Sequence, residues 1–229
     1  MKNCILLLLG GLLLLSACHS EGGIEVQTRK RADSTEYLKV NIAQSVFTSA
    51  SPEIRKSCDI LNAKVSYLID SIEKSLLFQA DTFYTGLEQV GMERPEWDFE
   101  LYVEDSVFMA SPDYISLRIM VYSFQGGAHG MTEFYAFNYD VKRRQFQEPD
   151  QILDFGKYRE IDEVLKKNFV NTDNCFTEIP TLENGLAALN VTAEAVCLTY
   201  PPYVLGPYSC GYVQVVVPRS ELEGMLLHE

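Results

Sequence analysis

The chain has 229 residues, with 19 Lys and Arg against 32 Asp and Glu, and a formal charge of −13. Hydrophobic residues make up 47% of it, enough for one sizeable core or two smaller lobes and too much for a disordered polymer. The acidic balance argues against nucleic acid and other polyanions as partners and favours cationic ones through electrostatic steering.

The chain opens with MKNCILLLLGGLLLLSAC. A single cation, Lys2, an apolar run from Cys4 to Leu15 and the small residues Ser16 and Ala17 read as a signal peptide over 1–17, too short to span a bilayer as a helix. The tetrapeptide LSAC is similar to the lipobox of bacterial lipoproteins, which predicts cleavage before Cys18 and lipidation of that residue. The membrane would then be reached through the lipid anchor alone. Loss of Lys2 leaves the mature chain at about −14. Residues 18–34 are polar, lack apolar periodicity and read as a flexible tether, with Arg29 to Arg31 either solvated or brushing anionic head groups. Beyond it an N-terminal α+β subdomain, 35–125, and a C-terminal one, 126–229, are expected to share one core.

Leu38, Val40 and Ile42 alternate as in a half-buried strand. Ile54, Cys58, Leu61, Val65, Leu68, Ile72 and Leu76 recur every three or four residues, which predicts a long amphipathic helix capped by Ser51 with Pro52 in its first turn. Trp97 to Glu104, Ile115 to Tyr122 and Tyr135 to Val141 then alternate as strands, with Ser111 to Asp113 as a turn. One face of this antiparallel meander should cover the helix, and the other should carry tyrosine, threonine and charge. A second helix follows, with Tyr158, Ile161, Leu165 and Phe169 on one side. A strand pair around Tyr203 and a short helix capped by Ser220 and Glu223 close the chain. The predicted class is α+β: an antiparallel sheet on one long helix, with a second helix, a C-terminal strand pair and a short helix.

Cys58, Cys175, Cys197 and Cys210 remain in an exported, disulfide-permissive setting, and three pairings are open to them. A hairpin centred near Tyr203 and Val204 would set Cys197 opposite Cys210, while Cys58 falls on the apolar stripe as a buried thiol.

The stretch YSFQGGAHGMTEFYAFNYD surrounds His129 with Gly126, Gly127 and Gly130. The other two histidines, His19 and His228, sit at the ends of the chain, so a zinc site would have to be built mainly from carboxylates or thiolates. No G-x-S-x-G elbow presents a serine, and the glycine spacing is not that of a P-loop or a dinucleotide fingerprint. No metal, no cofactor and no catalytic residue is therefore expected. Glu100 and Glu104 share a strand face beside solvated neighbours and read as a plain polar face rather than as a glycosidase pair. The glycines are expected to shape a chain reversal, with His129 as a hydrogen-bonding anchor or an exposed contact.

YSFQGGAHGMTEFYAFNYDVKRRQFQEPDQIL followed by LTYPPYVLGPYSCGYVQVVVPRSEL resembles the paired domains of unknown function in RsiV-type lysozyme-sensing anti-sigma factor ectodomains and in the non-catalytic region of PdaC-type peptidoglycan deacetylases. The pattern is a G-G-A-H-G loop, an aspartate-bearing strand leading to an EPDQIL-like segment, and a Y-x-x-x-P-Y-x-x-G strand pair. Gly126 to Gly130, Asp140, Asp150, Tyr203, Pro207, Tyr208 and Gly211 take those places, and the resemblance covers about residues 37–226. Cys175, Cys197 and Cys210 stand outside it. The chain shows neither the H-x-x-x-H zinc motif of the deacetylases' separate catalytic domain nor the spanning helix of the anti-sigma factors, so the fold transfers better than either activity.

The resemblance implies a non-catalytic, lipid-anchored binding module of the bacterial envelope that recognises a lysozyme-like muramidase or peptidoglycan. The acidic charge suits a cationic lysozyme, and the tyrosines of TYPPYVLGPYSCGY offer rigid amphipathic area, with His129, Tyr203 and Tyr208 as contacts. Two alternatives stand beside it: an envelope glycan hydrolase or deacetylase with His129 as base beside an aspartate such as Asp140, and a structural or assembly lipoprotein. His19, where an aspartate would favour inner-membrane retention, tilts the location toward the outer membrane or cell surface.

Overall fold

The computed structural model describes residues 22–227; the expected signal peptide over 1–17, Cys18, His19 and His228 lie outside them. β1 (Ile24–Ser34), β2 (Leu38–Ser49), α1 (Pro52–Gln89), β3 (Phe99–Ala110), β4 (Tyr114–Phe124), β5 (Met131–Asp140) and β6 (Gln145–Phe146) form the first unit, a six-stranded sheet in the order β1-β2-β3-β4-β5-β6 with one long helix. α2 (Tyr158–Asn168) and the three-stranded sheet of β7 (Ala188–Val191), β8 (Ala195–Tyr200) and β9 (Val213–Pro218) form the second. The class is α+β, as the runs of alternating residues predict.

The apolar stripe of α1 buries Cys58, Leu61, Val65, Ile69, Leu76, Ala80 and Tyr84 against inward residues of the sheet such as Val40, Leu101, Val103, Leu117 and Ile119. Each large side chain so buried contributes roughly 1.5–3 kcal/mol. Burial also pushes the Cys58 thiol up to about 11. Pro52 opens the helix where no N–H partner is needed, while the side chain of Ser51, at the N-cap position, makes no capping hydrogen bond. Strand polarity departs from a pure antiparallel meander at one place: β2 and β3 run parallel, Leu38 opposite Phe99 and Ile42 opposite Val103. Parallel neighbours require a long crossover, and α1, about 57 Å of helix, supplies it.

The expected tether is a strand from Ile24 onward. β1 pairs along its whole length with β2, from Ile24 opposite Ser49 to Ser34 opposite Lys39. An edge strand has one neighbour and little buried surface, so polar and charged residues suit it and its composition imitates a linker. Arg31, in the basic run of that segment, makes a two-pronged contact to the Glu73 carboxylate of α1.

The buried residues fall into two clusters, and Met109 and Tyr114 of the first unit pack against the second. Ile152, Leu153, Ile161, Leu165, Leu189, Leu198, Tyr200, Val215 and Val217 cluster between α2 and the smaller sheet. The larger sheet also runs past residue 125 to Phe146, so β5 and β6 belong with the first unit.

A buried polar network joins the units, beside apolar contacts of Met109 and Tyr114 with the second cluster. On the face of β4 turned away from α1, Ser116 is fully buried and Arg118 is 6% exposed. Ser116 Oγ donates to Asn138 Oδ1 at 2.8 Å and accepts from Asn190 Nδ2 at 3.1 Å and the Val191 N–H at 3.0 Å. Asn138 Nδ2 reaches the Leu189 carbonyl at 2.7 Å, and Asn190 Nδ2 the Leu117 carbonyl at 3.0 Å. Arg118 Nη1 donates to Thr199 Oγ1 at 2.8 Å and Gln214 Oε1 at 2.6 Å, its guanidinium enclosed by the rings of Phe108, Phe134 and Tyr212.

Cys175 pairs with Cys210, and Cys58 and Cys197 are buried free thiols. Cys197 does not face Cys210, because β8 ends at Tyr200 and pairs Cys197 with Val216 of β9. The C-terminal helix is a single 3-10 turn, Arg219–Leu222, entered from Pro218 without a side-chain cap.

Candidate functional site

Residues 125–130 turn β4 into β5. Gly126 has φ +94°, and a Cβ there would stand 2.5 Å from Cζ2 and Cη2 of Trp97. The loop thus lies flat on Trp97, which packs against Phe83 at 5.5 Å and Phe124 at 5.7 Å. Gly127 has φ +91° and faces open space. Gly130 is needed for close approach instead: a Cβ would strike the Ser123 carbonyl and come within 2.5 Å of Tyr122 Cζ.

Tyr203 and Tyr208 lie between β8 and β9 on a loop braced from one side. The carbonyl of Leu205, itself 2% exposed, accepts the N–H groups of Thr177 at 2.8 Å and Glu178 at 2.9 Å. The Cys175–Cys210 disulfide, with Cα atoms 5.7 Å apart, ties the 3-10 turn Tyr208–Cys210 to the same segment. Closing that 35-residue separation contributes roughly 3–4 kcal/mol by chain entropy. Tyr203 has φ +73°, in the left-handed region that a bulky residue avoids, at a cost of roughly 1–3 kcal/mol.

The two loops meet at His129. Its ring stacks on Tyr208, with centroids 3.6 Å apart and planes 11° apart. Tyr203 Oη lies 2.8 Å from Nε2, and Nδ1 lies 2.9 Å from the Gly130 carbonyl oxygen. A carbonyl can only accept, so Nδ1 carries a proton, and in the neutral ring the Tyr203 hydroxyl donates to Nε2. Tyr203 is 55% exposed, whereas His129 and Tyr208 are half-buried. Burial pushes the Tyr208 phenol above its ordinary value, with Tyr122 and Tyr203 adding to the shift.

Both ring nitrogens of His129 have partners, the Gly130 carbonyl and the Tyr203 hydroxyl, which fix the orientation of the ring. Asp140 is not its acid partner. Met131 opposes Ser123 at one end of the β4–β5 pairing and Asp140 opposes Tyr114 at the other, a separation of about 30 Å. Glu100 and Glu104 are four residues apart on β3, with Cα atoms about 13 Å apart along the strand. Among the described residues no three of His, Cys, Asp and Glu gather as metal ligands.

The three contact residues singled out in the sequence therefore come together, shaped by the glycines beside them. Tyr122 joins the neighbourhood without having been singled out. Tyr122 packs under Gly130, and its outward position in the strand alternation is a signal for it. Tyr212 lies 4.8 Å from Phe134 and is 43% exposed.

This is an α+β domain of two joined units that presents an aromatic and histidine cluster at one end of its larger sheet. Residues 32–132, from the end of β1 into β5, match the family model described as Deacetylase PdaC. A crystal structure of a DUF3298 family member from Bacteroides fragilis shares the fold at TM-score 0.65 and 16% identity, over 90% of this chain and 95% of that one. A DUF3298 family protein from Pseudomonas aeruginosa shares it at TM-score 0.52 and 20% identity, over 89% and 93%. No curated protein matches the chain. The chain is thus PdaC-like over residues 32–132 and shares the fold of DUF3298 family proteins over about nine-tenths of its length, while its similarity to anti-sigma factors rests on the quoted motifs.

Proposed function

We propose that this protein is a non-catalytic binding module, lipid-anchored through Cys18 in the bacterial envelope, that uses His129, Tyr203 and Tyr208 to contact a lysozyme-like muramidase or peptidoglycan. The observation that carries the reading is the state of His129. Its two nitrogens are hydrogen-bonded and its ring is stacked on Tyr208, so it is held still beside the exposed Tyr203 as part of a rigid aromatic surface. Rigid aromatic side chains lose little entropy on binding and anchor interfaces well. The formal charge of −13 supports the muramidase over the glycan, because lysozyme-like proteins are commonly cationic and opposite net charges speed encounter.

Calorimetric titration with a cationic muramidase and with soluble peptidoglycan fragments tests this. Saturable binding of one of them, weakened at high salt for the muramidase and reduced in His129→Ala, is expected. Absence of heat with both would remove the proposal and leave an assembly role. Hydrolysis or deacetylation of the fragments that disappears in His129→Ala would instead return the site to enzymology.

A further inference from the structure

At the far end of the larger sheet from His129, the two units leave a cleft of about 580 Å3, an ordinary volume for a small-molecule site. Met109, Ile152 and Val191 give it an apolar floor, and the Tyr114 hydroxyl beside them donates to Gln147 Oε1 at 2.8 Å. Its charged lining is Lys142, Arg143 and Arg219 against Asp113 and Asp140, a local cationic excess on a chain that is strongly acidic as a whole. The segment from Asp140 to Ile152, picked out by its sequence and unused by the His129 cluster, builds much of this wall.

The cations are placed to be redirected. Lys142 Nζ pairs with Asp113 at 2.9 Å, with both side chains more than half exposed, and such surface pairs hold weakly. Arg143 Nη1 stands 3.6 Å from Asp140, a loose contact. Asp140 also accepts the Arg143 backbone N–H at 2.8 Å, so its carboxylate keeps a partner when the guanidinium swings away. A freed guanidinium can take a ligand carboxylate through two parallel N–H bonds.

We propose that this cleft binds a small amphipathic carboxylate, its apolar body on Met109, Ile152 and Val191 and its charge held by Arg143 and Lys142. The shared chemistry covers a free organic acid and the C-terminus of a short peptide. The test follows backbone amide resonances of the full chain during titration with N-acetyl-leucine, and with N-acetyl-leucinamide, which differs only in lacking the carboxylate. Saturable shifts around Met109, Tyr114 and Ile152 are expected with the acid alone, unchanged in His129→Ala. Arg143→Gln, at a side chain 58% exposed, should leave the fold intact. It should weaken binding by roughly tenfold, as loss of one charge-assisted contact does. N-acetyl-alanyl-leucine binding more tightly than hexanoate assigns a peptide C-terminus, and the reverse order a free acid. Equal binding of acid and amide, indifference to Arg143→Gln, or no shift at the cleft with any probe at about 10 mM overturns the proposal.

Discussion

The two faces of β4 are both buried, yet by opposite chemistry. Toward α1 stand Ile115, Leu117, Ile119 and Val121, each at most 1% exposed and surrounded by hydrocarbon. Toward the second unit stand Ser116 and Arg118, equally enclosed but hydrogen-bonded to Asn138, Asn190, Thr199 and Gln214. The apolar face is where stability comes from, because packing there is paid back in buried area and is indifferent to direction. The polar face fixes how the units meet, because hydrogen bonds are directional and leaving one unmade inside the protein is costly.

Substitutions on the two faces should separate these roles. Leu117→Ala opens a cavity under α1 and should lower the unfolding free energy by roughly 2–5 kcal/mol in denaturant titration. Asn190→Leu, of similar volume, strands Ser116 and the Leu117 carbonyl and should cost roughly 1–3 kcal/mol. Loss of the cooperative single transition in this variant, with the first unit remaining folded, would show directly that the seam couples the units. Arg118→Met should change stability by less than about 1 kcal/mol, since removing a buried guanidinium without a carboxylate partner offsets the lost contacts to Thr199 and Gln214. A loss of several kcal/mol there would mean that the polar face is a stability element after all.

The smallest effect belongs to Asp98, a partly exposed carboxylate just before β3. Asp98 is held below its ordinary value first by the hydrogen bond from Lys39 and then by that from Arg94. Its folded value lies below the unfolded one, so its contribution is present above about pH 4 and is lost as the pH falls further. Asp98→Asn should therefore be less stable than the parent by under about 1 kcal/mol near neutrality, and the gap should close on acidification. A gap that widens toward low pH would reverse the assigned sign.

The apolar face of β4 was legible because alternation of Ile115, Leu117, Ile119 and Val121 with polar residues is the signature of one-sided burial. The same alternation hides the burial of Ser116 and Arg118, since a polar residue facing another polar residue and one facing water look alike in sequence. β1 was hidden for a related reason: with one neighbour and open faces, IEVQTRKRADS needs no apolar pattern to pair with β2. The parallel pairing of β2 with β3 depends on where α1 returns the chain, which no local pattern records. At the site, glycine-rich and tyrosine-rich stretches marked His129, Tyr203 and Tyr208, whereas the brace behind them did not show: with three pairings open to four cysteines, only the fold brings Cys175 to Cys210.

One substitution at Tyr203 separates its proposed contact role from its part in the fold. Tyr203→Gly removes the ring and, because glycine adopts φ +73° freely, also relieves the backbone. Melting temperature and muramidase affinity should be measured together on this variant and the parent. A melting temperature unchanged or raised is expected, with affinity reduced by at least roughly tenfold, the loss typical of an aromatic interface anchor. A variant that melts lower yet binds as tightly as the parent would make Tyr203 a structural prop and contradict the account.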